Sequence, residues 1–241
     1  MFDRESIDSK YKAAAEKYGI QLEIAYGSGL SETQEIEGDG GRFLIRLNAD
    51  RIGEEDYEEY LSYNVRKILL PRLRLETERL VLRRFERSDA EACFLFLSDK
   101  DGAYMDDGTF FAGMDESYDR LMDAFAGQTR YVMELKETGR VIGTIHLFDT
   151  DDRAVETMEV GYGVAPGYKR RGYAYEALSA LLRYLLYDLN LDMVIAGIIP
   201  DNIPSQGLIE KLGFQYEGLK HKALWNKMRG PVDLRYYYLE K

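Results

Sequence analysis

The sequence predicts an α/β (α+β) fold, a mixed central sheet flanked by helices and preceded by a small α+β unit. Three observations predict it. From residue 79 onward, strand-like alternation and helix-like periodicity run in the order β-α-α-β-β-β-α-β-α-β-β, that of a mixed sheet with helices on both faces. The stretch Met158 to Leu189 opens as a strand, turns through a basic, glycine-containing loop and continues into a long helix. Pro71 to Thr77 (PRLRLET) is a charged connector, dividing the chain into residues 1–72 and 73–241.

Ser6 to Tyr18 reads as a helix, with Ser6 as its N-cap and Gly19 as its stop. Gln21 to Tyr26 alternates like a strand, and Gly38-Asp-Gly-Gly41 reads as a hairpin turn whose second arm is Arg42 to Leu47. The acidic run Glu54 to Glu59 opens a second helix, where carboxylates complement the dipole. Its apolar face runs through Leu61, Val65, Ile68 and Leu69 until Pro71 stops it. Residues 1–72 are few for an independent core, so this unit is expected to dock on the larger C-terminal domain or to form a homodimer. Its last helix carries Tyr63-Asn-Val-Arg-Lys67 where a zinc-protease helix would read His-Glu-x-x-His, and no metal is assigned.

Beyond the connector, Arg79 to Phe85 alternates as a half-buried strand. Ser88 and Glu91 have capping-box spacing, so a helix is expected from Asp89, and Asp115 to Phe125 is a second helical segment. Arg130–Leu135 and Val141–Phe148 are strands joined at Glu137-Thr-Gly-Arg140. Then come the strand Met158–Val164, the long helix, a strand at Met193–Ile199, a short helix at Ser205–Leu212, and strands near Phe214–Leu224 and Asp233–Leu239.

Composition narrows the function. A hydrophobic share of 45% suffices for a core, and 31% charged residues suit a water-facing surface. The net charge of −11 argues against nucleic acid, whose binding rests on cationic contacts to phosphate, and fits an amine or basic peptide. Cys93 is the one cysteine and lies in an apolar run, which makes it core filler rather than a nucleophile. No apolar run approaches the roughly 18 residues of a membrane span. No basic-then-apolar start marks a secretory signal, so the expected compartment is the cytoplasm.

The loop after Val164 has the chemistry of an anion site. The first N–H groups of a helix lack internal partners, and the dipole places partial positive charge there. Lys169, Arg170 and Arg171 add full charges, Gly172 permits close backbone approach, and Ala174 keeps the first turn uncrowded. Tyr173 and Tyr175 border the seat. The Gly-Lys-Ser/Thr ending of a P-loop is absent, and Gly161-Tyr-Gly163 lies inside the strand, out of register for a dinucleotide fingerprint. What remains, Lys169-Arg-Arg-Gly172-Tyr-Ala174, resembles the Q/R-x-x-G-x-G/A signature of the GNAT superfamily of acyl-CoA-dependent N-acyltransferases. Four ordered stretches carry that resemblance toward its ribosomal-protein N-terminal acetyltransferase branch. These are Glu78-Arg-Leu-Val-Leu-Arg, Glu159-Val-Gly-Tyr with Gly172-Tyr-Ala-Tyr-Glu-Ala, Asn202-Ile-Pro-Ser205 leading to Glu210-Lys-Leu-Gly-Phe214, and Val232-Asp-Leu-Arg-Tyr236. They cover roughly residues 75–240 and leave the N-terminal unit outside.

The resemblance implies acetyl-CoA as co-substrate, its pyrophosphate on residues 169–174, and a primary amine of a small molecule or peptide N-terminus as acceptor. Such an amine must lose a proton before it attacks a thioester, and a carboxylate can take it. Glu159 matches the general base of the histone-acetylating branch; its alternative is an ordinary strand glutamate. Glu176 is the alternative base, but just inside the helix it reads rather as structural. By the same resemblance the strand splays from its neighbour, and the Val164 main chain, with Ala165 beside it, binds the pantetheine arm and acyl carbonyl. Many relatives place a tyrosine before Glu-Lys-Leu-Gly-Phe to protonate the leaving thiolate; here that position is Ile209. Ser205 is the substitute acid, or only a helix cap. Asn202 is expected to bond the pantetheine arm, or to be a turn residue. Tyr216 and Trp225 either line the acceptor groove or pack in the core, and Asp99, Asp101, Asp106 and Asp107 either attract a cationic acceptor or form a solvated loop. With only His146 and His221, a zinc site is not expected. A sensor that binds acyl-CoA without turnover, or a scaffold recruited through residues 1–72, are the alternatives to an enzyme.

Overall fold

In the computed structural model, which describes residues 2–30, 36–38, 41–150 and 153–241, the chain builds two sheets. Its contacts group into two units, Met1–Leu73 with Tyr187–Asn190, and Arg74–Leu186 with Leu191–Lys241.

The first unit contains α1 (Arg4–Glu16), β1 (Gln21–Gly27), β2 (Ile36–Gly38), β3 (Arg42–Asn48) and α2 (Tyr57–Leu69). The cap of α1 is Asp3, not Ser6: the Asp3 side chain accepts from the Ser6 N–H, and its charge complements the dipole. Gly19 ends the helix region with φ +72°. β2 and β3 pair antiparallel as the expected hairpin, whose turn residues 39 and 40 lie outside the described residues. β3 also pairs in parallel with β1, which no local signal announced. Tyr11, Phe43, Ile45, Leu47, Tyr57, Leu61, Val65 and Ile68 are buried, and the buried Tyr57 hydroxyl donates to Asp8.

The second unit contains β4 (Arg74–Glu76), β5 (Leu80–Arg84), α3 (Ala90–Leu97), α4 (Lys100–Tyr104), α5 (Glu116–Gly127), β6 (Arg130–Leu135), β7 (Val141–Asp149), β8 (Thr157–Val164), α6 (Tyr173–Arg183), β9 (Met193–Ile198), α7 (Ile203–Lys211), β10 (Gln215–Asn226) and β11 (Gly230–Glu240). Its eight strands lie in the order β10-β11-β9-β8-β7-β6-β5-β4. Every pairing is antiparallel except β8 with β9, the pair bridged by the α6 crossover. The connector read at 71–77 is partly a strand, since Arg74–Glu76 pairs with β5. The capping box also moves: Glu86 and Asp89 exchange the reciprocal bonds, and α3 begins at Ala90. The short α4 was not legible, because Lys100–Tyr104 has too few residues to show a period.

Alternation sends the two faces of this sheet to different partners. α3 and α5 cover one face, where Cys93, Tyr118, Met122 and Phe125 pack with Phe85, Val132 and Val141. Cys93 is core filler as expected, and burial pushes its thiol up to about 12. On the other face α6 packs against β5 and β8, and α7 against β9. α6 continues into a π-helical turn over Tyr184–Asp188. No helix among the described residues is long and apolar enough to cross a membrane.

Leu181 is fully buried on α6, so Leu181→Ala leaves a cavity beneath the helix that carries the basic loop. The expected cost is about 2–5 kcal/mol, read as a lower urea midpoint for the second unit.

Candidate functional site

β8 loses one of its neighbours partway along its length. The ladder to β9 runs from Thr157↔Met193 to Glu159↔Ile195 and stops, while β8 stays paired to β7 as far as Val164↔Gly143. The Ala165 N–H donates to the Ile142 carbonyl at 2.8 Å, which sets the parity of the strand. Residues 161, 163 and 165 aim their amides at β7; the Val160 amide is the last to meet β9, and Tyr162 and Val164 aim theirs into the gap beyond it. The amide of Ala165 is therefore engaged, and only Val164 of the expected pair turns its amide into the opening.

The basic loop stands at the end of that gap. Gly172 is the N-cap of α6 with φ +83°, a conformation glycine adopts without strain, and no side chain caps the helix start. The first backbone bond into the helix is Glu176 N–H to the Gly172 carbonyl, leaving the amides of Tyr173, Ala174 and Tyr175 turned outward. Arg170, exposed at φ +62°, is one of three non-glycine residues with positive φ among the described residues. The cations are not equally available. Lys169 is paired with Asp99 at 2.5 Å, the Arg171 guanidinium lies 5.7 Å from the Tyr168 ring centre, and Arg170 has no ion pair among the described residues.

Glu176 fastens this helix start to the strand beside it. It accepts from the Thr77 hydroxyl at 2.6 Å and from the Arg79 N–H and Nε at 2.7 Å each. Arg79 in turn stacks over Tyr173 and donates to the Arg171 carbonyl at 3.1 Å. Burial acts to raise the Glu176 carboxyl, but these donors more than offset it and hold it below the usual range. The structural reading of Glu176 stands. Arg79 is a residue the sequence did not flag, since its role appears only when β5 is placed beside α6.

On the sheet face away from α6, glycines leave β8 bare. Glu159 is half-buried, and its Oε1 would lie 3.0 Å from a Cβ placed at Gly197 of β9, with Tyr236 close by. Two residues on, a Cβ at Gly161 would meet His146 Nε2 at 2.2 Å, because the imidazole of β7 lies over that glycine. Among the described residues nothing lies within 4 Å of a Cβ at Gly163. Arg130 is buried, stacks on Phe125 at 3.5 Å and approaches His146 Nδ1 at 3.2 Å. Burial first, and Arg130 second, push His146 down to about 3, so the ring is neutral at ordinary pH. No local signal singles out His146, because only the register sets it across from Gly161.

The residues ahead of and within α7 play other parts than expected. Asn202, not Ser205, caps the helix: its Oδ1 accepts from the Ser205 N–H at 3.2 Å, and its Nδ2 donates to the Met105 carbonyl at 3.2 Å. Asn202 thus holds the 104–108 loop rather than offering free polar atoms. Asn226, fully buried, does the same, donating to the Tyr104 and Asp106 carbonyls. The Ser205 side chain hydrogen-bonds with Tyr162, whose hydroxyl also donates to the Ser205 carbonyl at 3.3 Å. Burial raises that tyrosine to about 12, so it keeps its proton. Ile209 is fully buried. Tyr216 and Trp225 are 53% and 70% exposed, which overturns core packing for both. No cluster of metal-binding side chains occurs among the described residues.

Comparison with known proteins agrees with this geometry. A family model described as an acetyltransferase (GNAT) domain matches residues 79–215, more than half of the 241-residue chain. An uncharacterized N-acetyltransferase of Bacillus subtilis, YoaA, is 31% identical over 69% of this chain and 96% of its own. The ribosomal protein uS5-alanine N-acetyltransferase of Escherichia coli is 23% identical over 62% of this chain and 81% of its own. Among solved structures, a GNAT-family acetyltransferase from Bacillus anthracis superposes with a TM-score of 0.63 at 28% identity, covering 70% of this chain and 98% of that one.

The Glu176 clamp carries a pH signature. A carboxyl held below its unfolded value stabilises the fold above the ordinary carboxylate range, and loses that contribution as pH falls through the folded value. Glu176→Gln should cost about 1–3 kcal/mol near neutral pH. The difference from wild type should shrink in acid, as read by urea midpoints at about pH 7 and about pH 3.

Proposed function

This chain belongs to the GNAT acetyltransferase family, and from that premise we propose that it moves the acetyl group of acetyl-CoA directly onto a primary amine, with Glu159 as general base. The carrying observation is the end of the β8–β9 ladder at Glu159, on the strand that leads to the uncapped start of α6. An extended amide-bearing arm fits the opened strand edge, and a pyrophosphate fits the helix start with Arg170 and Arg171 beside it. We assign the transferase to residues 73–241, with residues 1–72 as a separate α+β unit.

Glu159 takes a proton from the substrate ammonium, directly or through water, freeing the nitrogen lone pair. The nitrogen attacks the thioester carbon, and charge builds on the carbonyl oxygen. The Val164 amide, aimed into the gap, is the donor for that oxygen. The nitrogen, cationic after attack, gives its second proton to water; collapse of the tetrahedral intermediate then breaks the C–S bond and releases the CoA thiolate, which takes a proton from water or from Ser205, itself reprotonated from water. No covalent enzyme intermediate is involved, since the one cysteine is buried and its thiol is held protonated. The similarity to an acetyltransferase that acts on a ribosomal-protein alanine, together with a net charge of −11, supports a peptide N-terminus or another cationic amine as acceptor.

The experiment is calorimetric titration with acetyl-CoA, with thiol release followed across a panel of amines and peptides. Arg171→Ala should weaken acetyl-CoA binding by roughly three- to tenfold, the worth of one exposed charge at a helix start. Glu159→Gln should lower kcat by about 10²–10⁴ with binding retained. Full turnover by Glu159→Gln across pH would show that another group is the base.

A further inference from the structure

The bare strip of β8 has a hydrogen-bond donor fixed at one end. His146 Nδ1 faces the Arg130 guanidinium at 3.2 Å. Arginine can only donate, so Nδ1 is the acceptor, and the proton of a neutral ring resides on Nε2. That Nε2–H lies over Gly161 and has no hydrogen-bond partner among the described residues. Further along the strand, the space above Gly163 is open. In the other direction, two residues from Gly161 and on the same face, stands Glu159, whose carboxylate leans over Gly197.

Same-face residues two apart on a strand are separated by roughly 7 Å. The His146 ring over Gly161 and the Glu159 side chain therefore border one short stretch of the same face, so a single small acceptor can meet both. Phe148 packs edge-on against His146 at 4.4 Å and lies across from Glu159, walling this strip on the β7 side. The imidazole is held from both sides. Any side chain at Gly161 would displace it, and the buried Arg130, stacked on Phe125, sets its tautomer.

We propose that His146 is a specificity-determining residue of the acceptor site: its Nε2–H binds an oxygen carried on the carbon next to the amine-bearing one, as in an α-amino amide, while Glu159 serves the amine. Arg130 is the positioning residue behind it. This inference rests on the transferase reading above, and it separates amines with an adjacent carbonyl from plain alkylamines.

The test compares kcat/KM for L-alaninamide and for isopropylamine, using the full chain and acetyl-CoA. The readout is the ratio of the two, so that intrinsic amine reactivity cancels between variants. His146→Phe should lower the ratio about tenfold, the loss of one hydrogen bond, whereas His146→Gln, whose side-chain amide still donates, should keep it within about threefold. An unchanged ratio in His146→Phe, including an equal fall on both acceptors, assigns His146 to packing and overturns the proposal. As a readout independent of activity, ¹⁵N-resolved imidazole spectra of the wild-type chain should show His146 as the Nε2–H tautomer, and Arg130→Met should remove that preference. An Nδ1–H tautomer in the wild type refutes the inference. Absence of thiol release with every amine would refute the transferase reading itself, an outcome distinct from turnover without discrimination.

Discussion

The constraint on which this structure depends is a sheet that stops being a sheet between two of its strands. β8 and β9 are held together for three residue pairs and then part, although both continue. The parting leaves amides of β8 without strand partners, which a fold tolerates only where another acceptor can reach them. It also explains why the crossover through α6 is needed. The two strands run parallel, so the chain must travel back along the sheet before β9, and that return delivers a helix start to the end of the opening.

Holding that helix start in place falls to Glu176 and Arg79. A basic loop of Lys169, Arg170 and Arg171 repels itself, and the helix dipole adds to the repulsion. Glu176 supplies a negative charge inside the first turn and ties it through Arg79 and Thr77 to the end of β5. The Lys169–Asp99 pair removes a second positive charge from the same region. Among the described residues this leaves Arg170 without an ion pair beside the outward amides of α6.

Much of this was legible in the sequence, for reasons that can be named. Strand and helix periods are local, so β5 to β9 and α5 to α7 lie close to their expected ends. The basic loop before a small-residue helix start is likewise a contiguous signal. The place of Glu159 on the strand feeding that loop was legible for the same reason. The residues whose parts differ from expectation depend on partners far away in the chain. Asn202 has its nitrogen on the Met105 carbonyl, Ala165 has its amide on Ile142, and β4 exists only because β5 lies beside it. His146 is the clearest instance. Alone it is a half-buried histidine on an alternating strand, and its position acquires meaning only from a register that sets it across from a glycine.

Those glycines limit how such a protein can diversify. At Gly161 and Gly197 the space for a methyl group is already filled, by His146 on one side and by Glu159, Leu234 and Tyr236 on the other. Any substitution at either position adds at least that carbon, so it must be matched by a shift of His146 or of the side chains over Gly197. Other positions carry no such constraint: Trp225 is exposed, and the 104–109 loop, at least partly exposed except at Gly108, is held through its backbone by Asn202 and Asn226. Sequences that share these glycines can therefore vary at Trp225 and in that loop while the packing over β8 and β9 stays the same.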